Sequence, residues 1–522
     1  MTVVLRDYQD DFVGQVRIEY RNGFKAVVLV AATGAGKTVV FSYIARSAAE
    51  KGKRVLILAH RDTLIRQASK KLNDYDVQHG IIMAGFTPSP RRLVQVASVQ
   101  TLVRRIGQMK KQAEAAKSAA LASGKTDAQA EAAAKALGFD MIVIDECHLS
   151  SAKSYMDIRA AFPDAIVLGV TGSPLRLDGK GLGKHAGGMF ESIVQGISIR
   201  ELIDQAYLVQ PVVYGSKEEI DLSGIKKIGG DYDGEALAAV MDKPKITGSA
   251  IEQWRKHCPG VPAIAWCANV AHAGHVADEF NAAGIPALML SGDSDSGERE
   301  RALKGLERGT LKVITFAMLL VEGVDCPAIG AVIILRPTMS LSSYLQVIGR
   351  GLRTIYAHGM PLNSVDQRFA AIAAGPKGDK CFVLDHAGLW AKHGFADQER
   401  TWSLDGVVKK KGKKKDEEKP LPISQCPKCY HCHTPADVCP GCGHVYETKV
   451  RKLEYVDGEL SVITPEMAAR AKDERKSEVK GARSIAELEV IAAQRGYSSG
   501  WAKITFEARA RTRAKYSGSS RP

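Results

Sequence analysis

Residues 32–38 read Ala-Thr-Gly-Ala-Gly-Lys-Thr, directly after the apolar run Ala26-Val27-Val28-Leu29-Val30 and directly before Val39-Val40-Phe41. A strand that runs into a glycine-bearing turn and then into a helix start leaves few folds open. Backbone N–H groups in such a turn converge at a helix N-terminus and favour anionic oxygen. The segment therefore predicts a triphosphate cradle lined by Thr33, Gly34, Ala35 and Gly36. The Lys37 ammonium then serves the β and γ oxygens, and the Thr38 hydroxyl serves Mg²⁺. The usual pattern has glycine at position 31, where this chain has Ala31. A second Gly-Lys-Thr, in Ser123-Gly124-Lys125-Thr126, follows an Ala/Lys-rich run with no strand, so it is rejected as a cradle.

The surroundings extend this reading to a parallel α/β protein. Short apolar runs without polar alternation recur at Val27–Val30, Val55–Leu58, Val94–Ala97, Met141–Ile144 and Ile166–Val170. Strands of that kind are covered on both faces, as in a parallel sheet. A second set follows at Ala263–Trp266, Ala287–Leu290, Val313–Phe316, Val332–Leu335 and Phe382–Leu384, with no phosphate loop of its own. The domains expected are 1–205, carrying an Ala/Lys-rich helical insertion at 104–137; a connecting segment at 206–255; and a second α/β domain at 256–400. Beyond them lie a basic linker at 401–425, which includes Lys409–Lys415, a cysteine ribbon at 426–445 and a charged helical tail at 446–522.

Composition narrows the partners. Lys and Arg number 72 against 58 Asp and Glu, a formal net charge of +14 over 522 residues, which favours a polyanion. No apolar run has the length needed to span a bilayer, so no membrane partner is expected. The N-terminal apolar stretch is too short for a signal peptide, which places the chain in the cytosol. Five of the ten cysteines crowd into residues 426–442, a metal pattern and not a disulfide framework. Cys426-x-x-Cys429 and Cys439-x-x-Cys442 suit a tetrahedral Zn²⁺ with four thiolates. Cys432, His431 and His433 are alternative ligands, and a redox dithiol is the competing chemistry.

Asp145-Glu146-Cys147-His148 follows the strand Met141–Ile144. An aspartate at a strand end can hold Mg²⁺ through its water shell, and the adjacent glutamate can polarise an attacking water. Together with residues 32–38 this completes the pattern of an ATPase.

These motifs, in this order, resemble the superfamily-two helicases and translocases of the DEAD/DEAH-like type over about residues 5–390. Nearest in kind are the RadD-type and phage-encoded helicases, on Asp145–His148, Leu335-Arg336-Pro337-Thr338, Gln346–Arg353 and Leu384-Asp385-His386-Ala387-Gly388. The resemblance implies two tandem RecA-like parallel-sheet domains with ATP and Mg²⁺ between them, plus the zinc ribbon and helical tail. Leu5-Arg6-Asp7-Tyr8-Gln9 resembles the Q motif, which implies adenine contacts from Arg6 and Gln9. Arg61, Ser98 and Thr101 fall in strand-contacting motifs, whereas His148, Thr171 and Ser173 fall where ATP is coupled to nucleic acid. Glu322-Gly323-Val324-Asp325 resembles motif V, so Gly323 and Asp325 join the nucleotide set. In Gln346–Arg353, which resembles motif VI, Arg350 is the expected arginine finger and Arg353 the second γ-phosphate contact.

The resulting expectation is an ATP-dependent helicase or translocase acting on DNA in a bacterial or phage-infected cytosol. An ATP-switched binding or annealing remodeller without unwinding is the alternative, and an RNA helicase is a third reading.

Overall fold

The computed structural model describes residues 4–135, 137–176, 179–215, 220–228, 230–317, 326–406, 423–446, 477–479, 481–495 and 500–508. Residues Met1–Tyr446 form one compact unit and Glu447–Pro522 another.

The strands of the first unit are, in chain order, β1 (Ala26–Val30), β2 (Val55–Ala59), β3 (His79–Ile82), β4 (Val94–Ser98), β5 (Met141–Asp145), β6 (Ile166–Thr171) and β7 (Ser192–Gln195). There follow β8 (Gln210–Gly215), β9 (Lys227–Ile228), β10 (Asp231–Tyr232), β11 (Ala263–Trp266), β12 (Ala287–Met289), β13 (Val313–Phe316), β14 (Ala331–Ile334), β15 (Lys380–Asp385), β16 (Ser424–Gln425) and β17 (His431–His433). The ten strands expected from the apolar runs are all present, within two residues at either end.

The first lobe is a seven-stranded parallel sheet of order β3-β4-β2-β5-β6-β1-β7. Every residue of β1, β2 and β4 is buried, which is why these strands carry no polar alternation. Helices cover both faces, and each fully buried Val, Leu or Ile contributes about 1.5–3 kcal/mol. The stretch read as an insertion, 104–137, belongs to a helical hairpin whose first helix already starts at Val99 (Val99–Ala122) and whose second is Asp127–Lys135.

The second lobe is an eight-stranded sheet of order β12-β13-β11-β14-β15-β8-β17-β16. Its first six strands are parallel, while β17 and β16 pair antiparallel at the edge. Two features depart from the sequence reading. First, β8 comes from the stretch read as a connection, 206–255, where Pro211 and Gly215 leave too short an apolar run to signal a strand. Second, part of the stretch read as linker returns to the first lobe. The Trp402 N–H donates to Gln195 Oε1 (3.3 Å), Gln195 Nε2 donates to the Trp402 carbonyl (3.2 Å), and the Gly183 N–H donates to the Leu404 carbonyl (3.1 Å). Lys180 and Gly406 add an antiparallel bridge. The lobes are thus joined by the crossing near 205–209 and again by this strap. The basic run Lys409–Lys415 lies outside the described residues, as do Gly323 and Asp325.

In the second unit the helix Ile485–Arg495 buries Leu488 and Ile491 against Ala502 and Trp501. The remainder of the expected helical tail is outside the described residues. Among the described residues no helix is long and apolar enough to cross a membrane.

Candidate active site and metal centre

In parallel α/β sheets, ligands sit beyond the carboxyl ends of the strands. The first lobe brings most of its sequence-derived candidates to that edge. Residues 31–38 follow β1, Arg61 follows β2, Thr101 follows β4 and Ser98 ends it, Glu146 follows β5, and Ser173 follows β6.

The loop after β1 turns through two left-handed glycines, Gly34 (φ +93°) and Gly36 (φ +76°), and Gly36 caps the helix Lys37–Glu50. A Cβ at Gly36 would sit 2.5 Å from Gln9 Nε2, and one at Gly34 would sit 2.6 Å from Leu208, so both positions require glycine twice over. Ala31 is not among the residues of positive φ. Its N–H donates to the Thr171 carbonyl (2.9 Å), so it prolongs the sheet and alanine fits. Gln9 is buried and holds the loop: its Nε2 donates to the Ala35 carbonyl (3.0 Å), as does the Tyr8 hydroxyl (3.2 Å), and its Oε1 accepts from the Arg6 N–H (3.1 Å).

Lys37 Nζ donates to Glu146 Oε1 at 2.8 Å. Glu146 Oε2 lies 3.4 Å from His148 Nδ1 and 3.4 Å from Thr171 Oγ1. Thr171 in turn meets His148 Nδ1 (3.2 Å) and accepts from the Ser173 N–H (3.2 Å). Lys37, Glu146, His148, Thr171 and Ser173 therefore form one connected network. Burial works against the Glu146 charge, but the Lys37 ammonium and His148 outweigh it and hold the carboxyl below the usual range. Burial, and then the neighbouring Glu146 charge, push Asp145 up to about 6. Glu146 itself sits at φ +48°, a backbone cost of about 1–3 kcal/mol for a residue with a Cβ, of the sort that collects at functional sites.

The second lobe completes the network. From the helix Leu341–Gly351, Gln346 Nε2 donates to Glu146 Oε2 at 3.4 Å, and Gly349 packs so closely on Thr33 that a Cβ there would collide with it. Arg350 lies on the same helix, one turn beyond Gln346, and Arg353 follows its end. Leu208 bridges antiparallel to Arg353, and the Val209 N–H donates to the Leu352 carbonyl (2.8 Å). The crossing segment thus touches the phosphate loop on one side and the arginine-bearing segment on the other. Tyr207, beside it, is clasped between the guanidinium of Arg6 (4.0 Å to the ring centroid) and that of Arg368 (4.4 Å). Gln346 could have been singled out from its four-residue spacing to Arg350. Nothing local marks Tyr207 or Arg368.

The strand-contact candidates are less distinctive. Ser98 is buried and caps its helix by accepting from the Thr101 N–H at 3.5 Å. Arg61 stands at the N-cap of the helix Asp62–Asp74, and its side chain is not used as a cap.

At the far edge of the second sheet, the Sγ atoms of Cys426, Cys429, Cys439 and Cys442 all lie within 4.8 Å of one another. Cys426–Cys442 and Cys429–Cys439 are each 3.7 Å apart. Four sulfurs on a tetrahedron of Zn–S about 2.3 Å are separated by about 3.8 Å, so these four fit a zinc ion. Two of the three alternative ligands are engaged elsewhere. The Cys432 thiol faces the Tyr430 carbonyl (3.7 Å) within β17, and His433 Nε2 meets the Tyr446 hydroxyl (2.7 Å). The His431 ring lies near that of Tyr214, with centroids 5.6 Å apart and planes tilted by 39°, and its buried Nδ1 has no hydrogen-bond partner among the described residues.

The two knuckles repeat one geometry. The Tyr430 N–H donates to the Cys426 carbonyl and the Gly443 N–H to the Cys439 carbonyl, both at 2.9 Å. Gly443 has φ +70°, and Tyr430 occupies the same left-handed place at φ +63°. Tyr430→Gly should therefore stabilise the zinc-loaded protein by about 1 kcal/mol, read from chemical denaturation. A loss of stability would mean that the tyrosine ring contributes more than its backbone costs.

Comparison with known proteins agrees with this architecture. Residues 2–176 match the family described as the Type III restriction enzyme res subunit, and residues 249–354 match the helicase conserved C-terminal domain. Together the matches cover more than half of the chain. A 51.5 kDa protein of a Lactococcus phage is 29% identical over 438 residues, covering 83% of this chain and 81% of its own. The Saccharomyces cerevisiae protein IRC3, named as a candidate ATP-dependent helicase, is 28% identical over 369 residues. That match covers 67% of this chain and 49% of IRC3, so the chain spans about half the length of the yeast relative. A fragment assigned to the HsdR subunit of a type I restriction enzyme from Vibrio vulnificus shares the fold, with TM-score 0.51 and 20% identity over 75% of this chain and 66% of its own. With two tandem RecA-like lobes and matches to both helicase domains, the chain belongs to the superfamily-two helicases.

Proposed function

We propose that the protein is an ATP-dependent helicase or translocase that acts on DNA. One observation carries the reading: Glu146 of the first lobe, paired with Lys37, accepts from Gln346 of the second, on the helix that bears Arg350. A site divided between two lobes can couple what happens at the phosphates to lobe movement.

The residues fit ATP and Mg²⁺. The loop with Thr33, Gly34, Ala35 and Gly36 would receive the phosphates, while Thr38 and Asp145 would hold Mg²⁺, which neutralises charge on the phosphate oxygens. Phosphate oxygens would draw the Lys37 ammonium away from Glu146. The freed carboxylate would accept a proton from the attacking water, and Arg350 and Arg353 would offset charge on the transferring phosphoryl group. Gln346 and Thr171 would report the changed position of Glu146 to the second lobe and to Ser173. Arg6, Gln9 and Tyr8 would frame the base. Gly323 and Asp325 remain assigned to the nucleotide by their motif. The four cysteines would hold zinc as a structural centre.

The charge of +14 supports a polyanionic partner. Similarity to chains named for restriction enzymes inclines the reading towards DNA. Hydrolysis of ATP by the purified chain should rise several-fold with single-stranded or duplex DNA and remain at background for Lys37→Ala. Stimulation by single-stranded RNA alone would replace DNA by RNA as the substrate. Activity equal to the Lys37→Ala background under every condition would reject the motor.

A further inference from the structure

The carboxyl edge of the second sheet carries a module that no helicase motif accounts for. β8, β11, β14 and β15 run parallel, so Gly215, Trp266, Ile334 and Asp385 all end on one edge. From that edge, residues 220–242 fold into the β9–β10 pair and the helix Gly234–Met241, with a small core of Leu237, Ala238 and Met241 against Ala268.

Asp231 fixes the module in place. Its Oδ2 accepts from the Thr338 hydroxyl (2.6 Å) and Arg336 Nη2 (3.3 Å), and its Oδ1 accepts from the N–H groups of Met339 (2.7 Å) and Tyr232 (2.9 Å). Arg336 is buried, so this ion pair is a registration device: removing either partner would leave a buried charge uncompensated. At the other end of the module, Asn269 Nδ2 donates to Glu235 Oε2 (3.0 Å).

The module exposes both signs of charge, Asp221 and Glu235 against Lys226 and Lys227, and the cations gather beside Tyr232. Lys227, from β9, and Lys392, from the helix Leu389–His393, are both exposed. Lys392 Nζ lies 4.9 Å from the centroid of the Tyr232 ring and 3.4 Å from its hydroxyl. Lys227 is the cross-strand partner of Tyr232, so the two side chains leave the same face of the β9–β10 pair, and Lys392 lies over that same ring. Burial lowers the Lys392 pKa, Asp231 opposes this, and the Lys227 charge lowers it further. Among the described residues neither lysine forms an ion pair with a carboxylate, and the nearby Asp231 already accepts from four donors. Two convergent cations beside an aromatic face, on a strand edge, suit a phosphate and an unstacked base.

We propose that Lys227, Tyr232 and Lys392 form a contact for single-stranded nucleic acid on the second lobe, the lysines binding phosphate and the ring stacking on a base. This rests on the nucleic-acid reading above. It extends to the second sheet the strand-end placement that Arg61 and Thr101 have on the first.

The test is the salt dependence of binding of a fluorescent oligothymidylate to the full-length protein. Each phosphate contact contributes about 0.7 to the slope of log affinity against log salt for a single strand. Lys227→Ala/Lys392→Ala should lower that slope by about 1.4, whereas Lys227→Arg/Lys392→Arg should preserve it. Tyr232→Ala should weaken binding about tenfold at unchanged slope. ATP hydrolysis without nucleic acid should be the same in all of them. If the wild type binds and the double alanine variant matches it in affinity and slope, this contact is wrong while the motor reading stands. If the wild type binds neither this probe nor an oligouridylate of the same length, the nucleic-acid reading fails and this site fails with it.

Discussion

Glu146→Gln should reduce kcat for ATP hydrolysis by about 10²–10⁴-fold, the range associated with a positioned general base, while leaving nucleotide affinity near the wild-type value. The carboxylate is buried yet held ionised by Lys37 and His148, and its residue occupies a left-handed backbone conformation. Glutamine preserves the shape and can still accept a hydrogen bond from Lys37, but it cannot take a proton from water. Lys37→Ala should differ in kind, because it removes a phosphate ligand and so weakens binding as well. A fluorescent ATP analogue titrated against each variant separates the two effects, and steady-state turnover supplies kcat. Hydrolysis within tenfold of wild type in Glu146→Gln would remove Glu146 from the role of base. Asp145, which burial and the Glu146 charge push up to about 6, would then be the remaining carboxylate at that strand end.

Cys439→Ser, or removal of metal by a chelator, should unfold the ribbon and loosen the sheet edge to which it is attached. A structural zinc site in a small fold supplies about 10–16 kcal/mol of apparent binding energy, which is folding energy for the segment that forms it. Among the described residues the ribbon has little else to stabilise it: Cys426, Cys432 and Cys439 are buried, but the strands β16 and β17 have two and three residues. Because β17 pairs with β8 through His431–Tyr214 and Cys432–Val213, the loss should reach the second lobe. Hydrogen exchange should accelerate across 424–446 and at β8, and remain unchanged at β1, β5 and β6. Elemental analysis should give one zinc per chain for the wild type and for Cys432→Ser, whose thiol faces the Tyr430 carbonyl, and none for Cys439→Ser. Zinc retained by Cys439→Ser would show that the four-sulfur assignment is wrong.

Much of the first lobe was legible because its signals are local. The strand before residue 32, the two left-handed glycines and the lysine at the helix start are contiguous, so one stretch of chain specifies their geometry. The paired knuckles were legible for the same reason, and the spacing of two residues between cysteines sets each half of the cluster. β8 was not legible, since it is a six-residue strand carrying Pro211 and Gly215, of which only Val213 is buried even with β15 and β17 flanking it. The strap at 402–406 was not legible either: its composition is that of a linker, and its bonds to Gln195 and Gly183 and its bridge to Lys180 make it part of the first lobe.

Two parallel sheets, a phosphate loop, an acidic pair at a strand end and two cysteine knuckles can be read from the chain alone, because periodicity and short motifs act over a few residues. The tertiary structure alone decided that Gln346 reaches Glu146 across 200 residues, that four particular cysteines converge while Cys432 turns to β8, and that Asp231 binds its module to Thr338 and Arg336. Each of these is a contact between segments remote in the chain. Such contacts form only when burial of the two sheets and the crossing at 205–209 have brought the lobes together, and no local pattern encodes them.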